Sequence, residues 1–379
     1  MRNYTTWMLL NLVIVIGMSG MTTESLYTRT RKENKQLKLS ASGARVEEDI
    51  PILFGLYAAE TEAIEDTIPT VDETSVIWPM NDMPATQLGV SDIYKANPLN
   101  DYKDLKTPAQ ITRQGDYYFI VDTYHDQILY ASDLWKPVHE WRVLDRNMNK
   151  PHAIASDGQM YLVADTDNNR VLCYEYVNGR FQNTQCFDQM GTRPHYIQYD
   201  AVSAAFFIWS SVTGDMYIVK KLPTYNSMYI KEIRHIYELD GFYVRSFSIE
   251  GDEVLFPSGN NRYMIVADKE TLQVKARYAV TPEISGMAAV KKIGGYYYMT
   301  VSTDEKLRHE AACMIRTPDL HSLAAGLYEN VTPLFKDMKV PYYIECINGA
   351  YYVTSHEGRR NVYRFEVVED CVVNVGSLY

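Results

Sequence analysis

The sequence predicts an all-β fold, a six-bladed β-propeller made of four-stranded antiparallel blades. The first observation is a pattern that returns at a nearly fixed interval along the second half of the chain. The second is that each copy contains short β-rich runs separated by tight-turn residues. The third is that residues 106–379 show no sustained helical period. The repeated residues are Pro108, Ile111, Gly115, Tyr118 and Asp122-Thr123 in one copy and Pro151, Ile154, Gly158, Tyr161 and Asp165-Thr166 in the next.

The second copy shows the internal order of one unit. An apolar entry at 153–155 precedes a polar turn at 156–158, a strand at 160–164 and a polar loop at 165–169. A second arm at 170–176 then meets Asn178-Gly179 and a fourth strand. Asn-Gly between Val, Tyr and Phe runs is a strong hairpin signal, because both turn positions require positive φ. Four short antiparallel strands in about 40–45 residues are typical of a propeller blade.

Six such units can be counted from their first residues. The last unit contains four strand-like runs of its own, so the ring can close without a strand from the N-terminal side, although part of 86–105 could supply one. Residues 320–329 could form one short helix. The entry residues are Pro108, Pro151, Pro194, Val244, Ile284 and Pro341.

The run Tyr161-Leu-Val-Ala-Asp-Thr-Asp-Asn-Asn-Arg-Val-Leu172 resembles the NHL repeat, a blade type with a core of tyrosine, two apolar residues, Asp-Thr, small polar residues and Asn-Arg-Val. The copy at 122–129 matches more loosely, and later copies replace Asp-Thr by other pairs. The resemblance covers about the C-terminal three quarters of the chain and implies a six-bladed propeller. It implies little about activity, because propellers host unrelated functions.

The N-terminal part predicts export followed by a spacer. Residues 1–22 combine a weakly basic start, a twelve-residue apolar stretch and a small-residue exit, which fits a signal peptide or a membrane anchor. Residues 23–50 form a charged, flexible tether, and 51–105 an irregular segment before the propeller at 106–379. The protein is therefore expected to be extracytoplasmic, either secreted or anchored in the membrane only through its N-terminus.

Charge and cysteine content exclude some classes. The net charge of −11 argues against a nucleic-acid ligand, which requires clustered Lys and Arg. The five cysteines do not form a disulfide framework and are expected to be buried free thiols. With the Asn178-Gly179 turn as pivot, Cys173 is expected opposite residue 184, so a bridge to Cys186 would be diagonal.

The alignment of the units predicts two rings of side chains around one mouth of the central channel, because the entry loops and the loops between the second and third strands emerge on the same face. His125 and Glu357 are expected beside the second ring. The entry ring contains Ala109, His152, His195, Arg245, Ser285 and Tyr342, and the second contains Asp122, Asp165, Ser210, Ser258, Ser302 or Thr303, and His356.

Several of these side chains are candidates for binding a ligand. Arg245, beside imidazoles and tyrosine hydroxyls, could hold a carboxylate in bidentate fashion, or could pair with a blade aspartate instead. The Asp-Thr pairs of these units could also bond their own loops. The candidate ligand-binding residues are His152, His195, Arg245, Tyr342, His356, Asp122 and Asp165.

A divalent metal is the one cofactor that the pattern suggests. His152 and His195 occupy the same position in neighbouring units, and with His356 they could supply three ligands to zinc; calcium is the other divalent ion considered. Some enzymes that resemble NHL proteins hold zinc through channel histidines. The alternative is that each Pro-His caps its entry loop through a backbone carbonyl.

Two functions remain open from the sequence, and a scaffold without a small-molecule site is a third possibility. The first is a recognition module, exported or tethered at the surface, that binds a glycan, a peptide or a partner protein at the channel mouth. The second is a metal-assisted lyase or a lactonase-like hydrolase that uses the channel histidines. No catalytic motif decides between a binding protein and an enzyme.

Overall fold

The computed structural model of the chain describes residues 99–224, 226–259, 261–358 and 361–379. The predicted leader, the tether and the segment up to residue 98 lie outside the described residues. The described part is an all-β, six-bladed propeller in which each sheet has four antiparallel strands in consecutive order. No helix in this part of the chain has both the length and the apolar character needed to cross a membrane.

The first three blades follow the repeat that the sequence shows. The first blade contains β1 Pro108–Gln114, β2 Tyr117–Asp122, β3 Gln127–Ala131 and β4 Arg142–Asp145. The second contains β5 Pro151–Ser156, β6 Met160–Asp165, β7 Arg170–Val177 and β8 Arg180–Phe187. The third contains β9 Pro194–Asp200, β10 Ala205–Ser210, β11 Asp215–Lys221 and β12 Met228–His235.

The last three blades have the same order with more variable lengths. The fourth blade contains β13 Ser248–Glu250, β14 Glu253–Phe256, β15 Tyr263–Asp268 and β16 Val274–Ala279. The fifth contains β17 Gly286–Ile293, β18 Tyr296–Thr303, β19 Cys313–Thr317 and β20 Glu329–Asn330. The sixth contains β21 Val340–Ile347, β22 Ala350–His356, β23 Val362–Val368 and β24 Cys371–Ser377.

Burial of the strands follows their distance from the axis. The first strands of neighbouring blades contact one another around the ring, including β21 with β1. Strands near the axis are covered on both faces, so β5 and β6 are buried along their whole length. The outermost strand β16 instead alternates half-buried and exposed residues, the pattern of a strand with one face in water. The tight turn before β8 has positive φ at both Asn178 and Gly179, as the sequence predicted.

The predicted helix in the fifth blade is shorter than expected. Helix α1 spans Leu320–Ala324, and the side chain of Asp319 caps it by accepting a hydrogen bond from the Ser322 amide. Gly326 has a φ of 73° soon after the helix, and residues 329–330 pair with β19. Residues 329–330 therefore pair with the sheet, although local helical preference alone would place them in the helix.

Side chains connect every pair of neighbouring blades. At each of the six junctions a side-chain group donates a hydrogen bond to a backbone carbonyl of the following blade. Such bonds satisfy carbonyls that the ladders leave unpaired at the blade starts. The donor and acceptor residues are Thr123 and Pro151, Thr166 and Pro194, Trp209 and Val244, Ser246 and Ala288, Thr300 and Tyr342, and Thr354 and Ala109.

The ring closes without a shared strand in the described part of the chain. All four strands of the last blade, β21–β24, come from the C-terminal segment 340–377. The seam between the last and the first blade contains the Thr354 bond to Ala109 and a 2.7 Å hydrogen bond from Gln110 Nε2 to Glu345 Oε1. Leu99, from the segment considered as a possible closing strand, forms only one isolated bridge, with Arg142 at the outer edge of the first blade.

All five cysteines are free, as the sequence predicted, but the prediction that they are buried is wrong for Cys346 and Cys371, which are exposed. Cys173 lies opposite Gln185 rather than residue 184, because a β-bulge shifts the register between Cys173 and Tyr174. Burial raises the pKa of the Cys173 thiol well above its usual value. This thiol is therefore protonated and unreactive at neutral pH.

Candidate functional site

A β-bulge at the start of the inner strand positions the entry residues of four blades. In the second blade, Pro151 pairs with Asp165 and Ala153 with Ala164, so His152 is the extra residue without a partner opposite. The third blade places His195 in the same way. A bulge bends the strand and re-aims the side chain of the extra residue. The bulge also occurs at Ala109 in the first blade and at Tyr342 and Tyr343 in the last.

The bulged side chains meet at the channel mouth. The rings of His152 and His195 lie 3.9 Å apart between centroids, and Tyr342 lies 6.2 Å and 6.3 Å from them. His356 stacks on the other side of this group, 4.2 Å from the Tyr342 ring. We call the following group the mouth cluster: His152, His195, Tyr243, Arg245, Tyr342, Tyr343 and His356.

A chain of hydrogen bonds fixes the tautomer of His195. Tyr343 donates its hydroxyl hydrogen to the Arg245 carbonyl at 2.9 Å, so His195 Nδ1 must donate to the Tyr343 oxygen at 2.7 Å. In the neutral ring Nε2 then accepts, and it does so from the Tyr243 hydroxyl at 2.7 Å. His195 therefore has both nitrogens occupied, and its role is to orient Tyr243 and the backbone of Arg245.

His152 has one nitrogen fixed by its own entry loop. The hydroxyl of Thr166 donates to the Pro194 carbonyl, so His152 Nδ1 is the donor both to Thr166 Oγ1 at 3.0 Å and to the Lys150 carbonyl at 2.8 Å. This is the loop-capping arrangement that the sequence left open. In the neutral ring, Nε2 of His152 carries the free lone pair.

Burial keeps the three imidazoles of the mouth cluster neutral. Desolvation lowers the pKa of both His152 and His356 to about 3, and the positive charge of Arg245 contributes to both shifts. The pKa of the fully buried His195 is also well below its usual value, again mainly because of desolvation. The three rings therefore offer hydrogen bonds and flat surfaces near neutral pH, and the positive charge of the mouth comes from arginine and lysine.

Cations outnumber carboxylates at the mouth. The guanidinium groups of Arg245 and Arg193 lie 4.9 Å and 5.2 Å from the centre of the Tyr243 ring. Asp167 pairs with Arg193 at 3.0 Å and with Lys150 at 2.6 Å. Arg245 does not pair with this carboxylate and has no ion-pair partner among the described residues.

Two polar atoms of the mouth cluster lack partners. Within the described ranges, Arg245 Nη1 and His356 Nε2 are buried atoms without a hydrogen bond. Ser285 Oγ and Thr303 Oγ1, both from the fifth blade, are in the same situation. Buried donors without partners are uncommon in folded proteins, and they are often completed by a ligand or water.

Asp122 and Asp165 bond their own loops instead of facing the mouth. Asp165 accepts from the Asn149 amide, Asn168 and Arg170, with Arg170 Nε at 2.6 Å. Asp122 accepts from the Lys106 amide and Gln127, and its carboxylate lies 2.6 Å from His125 Nδ1. Burial nevertheless raises the pKa of Asp122. Every strong contact of these two carboxylates stabilises a loop.

The second predicted ring is out of register in the last blade. Pro341 pairs with Ser355, so Ser355 occupies the position of Asp165 and His356 that of Thr166. This shift of one residue brings His356 onto Tyr342. In the fifth blade Gly286 pairs with Thr303, so Thr303 rather than Ser302 is the equivalent residue.

The remaining members of the rings have local roles. Ser210 donates to the Thr192 carbonyl, Ser258 to Asn261 and Ser302 to the Gly286 carbonyl. Glu357 is exposed and lies 3.0 Å from His309 Nδ1.

Sequence reasoning missed Tyr243, Tyr343, Arg193 and Lys150. For Lys150 and Arg193 a signal was present, since each directly precedes a Pro-His pair. Both residues have positive φ, 47° and 62°, at this position. Tyr343 joins the cluster because the bulge of the last blade contains two residues, which repeat alignment cannot show.

The mouth cluster does not supply the ligands that the zinc hypothesis requires. The described residues contain no group of three His, Cys, Asp or Glu side chains arranged to hold a metal ion. Both nitrogens of His195 are occupied by tyrosine hydroxyls, and Nδ1 of His152 is occupied by its own loop. Neither zinc nor calcium therefore finds a ready set of ligands at His152, His195 and His356.

Comparisons with known proteins identify the fold. The sequence matches no protein-family model and no curated protein sequence. Its structure is similar to that of a candidate 6-phosphogluconolactonase from Bacteroides uniformis, with a TM-score of 0.53 and 12% identity over 74% of this chain and 86% of that one. A second candidate 6-phosphogluconolactonase, from Bacteroides fragilis, gives a TM-score of 0.52 and 11% identity over 74% and 85%. At such identity the similarity shows the propeller fold alone.

Proposed function

We propose that this propeller is a recognition module whose channel mouth binds a ligand through a carboxylate or a similar anionic group. The observation that carries the proposal is the buried, unpartnered Nη1 of Arg245. A guanidinium binds carboxylates through two parallel hydrogen bonds. A ligand anion would accept a hydrogen bond from this donor and would neutralise the charge of Arg245. Asp167 does not do so, because it pairs with Lys150 and Arg193.

The surroundings of Arg245 hold it ready for such a ligand. Its backbone carbonyl accepts from Tyr343, and its guanidinium lies over the ring of Tyr243, which is itself bonded to His195. A side chain held in this way loses little conformational freedom on binding. His356 Nε2 offers a second unpartnered atom beside the stacked Tyr342 ring.

The proposal also includes the setting that the sequence suggests. The leader-like segment and the charged tether favour an exported or surface-tethered protein, and the run at 161–172 favours NHL-like blades. The ligand is then an extracytoplasmic molecule with an acidic group, whether a small metabolite, an acidic glycan or a peptide. The common chemistry is the anion at Arg245.

Binding of small anions tests this proposal. Acetate, lactate and citrate should raise the melting temperature above that in chloride of equal ionic strength, because a ligand that binds only the folded state stabilises it. Neutral acetamide should have no effect. Arg245→Met should remove the shift due to the anions, and Arg245→Lys should keep part of it, since it retains the charge and loses the planar fork.

The matched control is Arg262→Met, which removes an exposed arginine that pairs with Glu305 on the same face. This variant should respond to the anions like the wild type. An equal response of Arg245→Met and the wild type would overturn the proposal. His195 is unsuitable for this test, because its bonds to two tyrosines give it a structural role.

A lactonase-like hydrolase at the same mouth is the alternative, and the free Nε2 of His152 is the observation in its favour. This nitrogen would take a proton from water as the water oxygen attacks the lactone carbonyl; the ring C–O bond breaks and the leaving alkoxide recovers the proton. A pKa of about 3 makes His152 a weak base, since general bases work best with pKa values near the working pH. Binding is therefore the better supported function.

Hydrolysis of δ-gluconolactone, followed by base consumption, separates the two functions. The recognition proposal predicts equal rates for the wild type and His152→Gln, both at the level of the uncatalysed reaction. A rate well above this level that His152→Gln abolishes would establish the hydrolase instead.

A further inference from the structure

A second cleft lies at the other end of the strands, between the first two blades. It has a volume of about 390 Å³, which falls within the range of small-molecule sites. Its walls include Gly115 and Gly158, which lie in the tight turns β1–β2 and β5–β6. These turns are at the opposite ends of the inner strands from the bulges that form the mouth cluster, so the two sites are independent.

Three tyrosines line this cleft and are held by an aromatic core. Tyr117, Tyr161 and Tyr176 each contact the ring of the buried Phe181, with centroid distances of 5.7, 4.9 and 5.0 Å. Tyr117 also donates a 2.6 Å hydrogen bond to the hydroxyl of Tyr176 across the blade junction. The rings are therefore fixed in position before any ligand arrives, which lowers the entropy lost on binding.

The charges of the cleft are negative. Asp116 and Glu175 line it, and its described lining contains no lysine, arginine or histidine. Asp157 is also close, since both Asp116 and Asp157 contribute to raising the pKa of Tyr161. The Lys221 ammonium is not part of the lining, but it donates a hydrogen bond to Oε1 of Gln159, which is.

We propose that this cleft binds an organic cation, an alkylammonium group that packs against the accessible ring surfaces of Tyr117 and Tyr176, which contact each other at 5.0 Å between centroids, beside the carboxylates of Asp116 and Glu175. Aromatic faces attract cations through the ring quadrupole, and tyrosine cages bind quaternary ammonium groups in this way. The two carboxylates add charge attraction in a partly enclosed space, where screening by water is weaker than in solution. The same charges disfavour an anionic ligand.

Lys221 provides a way to distinguish a cationic ligand from a neutral one. Its ammonium group bonds Gln159, a lining residue of the cleft, so it competes with a bound cation and repels it. Removing this charge should strengthen the binding of a cation. The same change would weaken or leave unchanged the binding of a neutral saccharide, which would use the lysine as a hydrogen-bond donor.

Titration with choline, followed by calorimetry on the full chain, tests the proposal. Choline should bind, and its neutral carbon isostere 3,3-dimethyl-1-butanol should bind at least about fivefold more weakly, because the shapes match and only the charge differs. Glu175→Gln should weaken choline binding about fivefold, the effect of one partly exposed charge interaction. Lys221→Met should tighten it by a similar factor.

The control is Glu366→Gln, which removes a carboxylate that bonds an asparagine, Asn374, as Glu175 bonds Asn226, and that also pairs with Arg364. This variant should bind choline as the wild type does. Equal binding of choline and its neutral isostere would overturn the proposal, and so would a choline dissociation constant weaker than about 10 mM. A Lys221→Met variant that binds choline less well would overturn it as well. Arg245→Met should bind choline normally, so failure at the mouth and failure at this cleft are distinguishable.

Discussion

The histidines of the channel mouth show how strongly burial can change the protonation of a side chain. The sequence alone does not give this protonation state. His152 and His195 are recognisable from their repeated Pro-His context, and the prediction that they share one space agrees with a 3.9 Å ring separation. Their burial and hydrogen bonding depend on neighbours from the fourth and the last blade. Those neighbours include Tyr243 and Tyr343, which the repeat pattern does not identify.

The low pKa of His356 predicts that the protein loses stability in mild acid. An unfolded histidine titrates near 6.5 and folded His356 near 3, so between these values the unfolded state binds one more proton. The stabilisation is fully present above about pH 6.5 and is lost as the pH falls toward 3. Between about pH 7.5 and 5, this one residue should remove on the order of 2 kcal/mol from the free energy of unfolding.

Urea unfolding at several pH values checks this prediction. His356→Gln should flatten the fall in stability with decreasing pH by about this amount. Parallel curves for the wild type and His356→Gln would contradict the assigned shift.

At the scale of the element, the bulge at the start of the inner strand directs the entry side chains of several blades into one site. Pro151 and Asp165 form the last regular pair, and the residue between Pro151 and Ala153 is released from the ladder. The same geometry supports the junctions between blades, since the Thr that follows the Asp donates to the next entry loop. In the last blade His356 takes the place of this Thr, and Thr354 provides the bond to the first blade instead.

The hydrogen bond that closes the ring should be as important as an internal junction. Thr354→Val keeps the volume and removes the donor to the Ala109 carbonyl, which then stays buried and unpaired. It also removes the oxygen that accepts from the Tyr343 amide within the last blade, so the measured loss includes this second, weaker bond at 3.2 Å. The expected loss is about 1–3 kcal/mol in the free energy of unfolding, the usual penalty for such a group. Thr123→Val at the first junction should lose a similar amount, and the exposed Thr271→Val should lose little.

Chemical denaturation measures these differences. A loss below about 0.5 kcal/mol for Thr354→Val, beside a full loss for Thr123→Val, would show that the seam between the last and first blades contributes little.

Most of the fold follows from the sequence, whereas the site follows from it only in part. The 43-residue spacing of Pro108, Pro151 and Pro194 and the Asn178-Gly179 turn reflect local backbone preferences, so they predict blades well. The length of α1 and the register at Cys173 depend on tertiary pairing and a bulge, which no local pattern encodes. The position of His356 in the second ring was wrong by one residue, because Ser355 rather than His356 pairs with Pro341.

At the scale of the whole molecule, the two candidate sites, which lie at opposite ends of the inner strands, carry opposite charges. A protein with a net charge of −11 concentrates Lys150, Arg193 and Arg245 at one mouth. At the other end of the strands a tyrosine-lined cleft carries Asp116 and Glu175. Such separated fields steer ligands of opposite charge to different ends.

The C-terminal residue should help to hold the ring together. Tyr379 follows the last strand and reaches the first blade, where its hydroxyl donates to the carbonyls of Leu134 at 2.6 Å and Lys136 at 2.9 Å. Its ring lies edge-on to Trp141, 6.2 Å away. Tyr379→Ala should lower the free energy of unfolding by about 2 kcal/mol, less than for a fully buried aromatic residue.

Stopped-flow unfolding gives a second measurement of the same variant. If the contacts of Tyr379 form late in folding, the substitution should speed unfolding about 30-fold and leave the refolding rate nearly unchanged. Tyr263→Ala, which removes an exposed tyrosine from β15, should change neither rate substantially. An unfolding rate of Tyr379→Ala equal to that of the wild type would contradict this role.

In the described part of the chain, the hydrogen bonds across the closing seam come from side-chain donors, and this has a consequence for how the chain is made. Because all four strands of the final blade are neighbours in sequence, each sheet can assemble from adjacent hairpins as it leaves the ribosome, without waiting for a distant partner. In the described part of the chain, the hydrogen bonds between residues more than two hundred positions apart all join the first and last blades. Until those two blades meet, one flank of each remains uncovered, and exposed flanks of this kind favour aggregation.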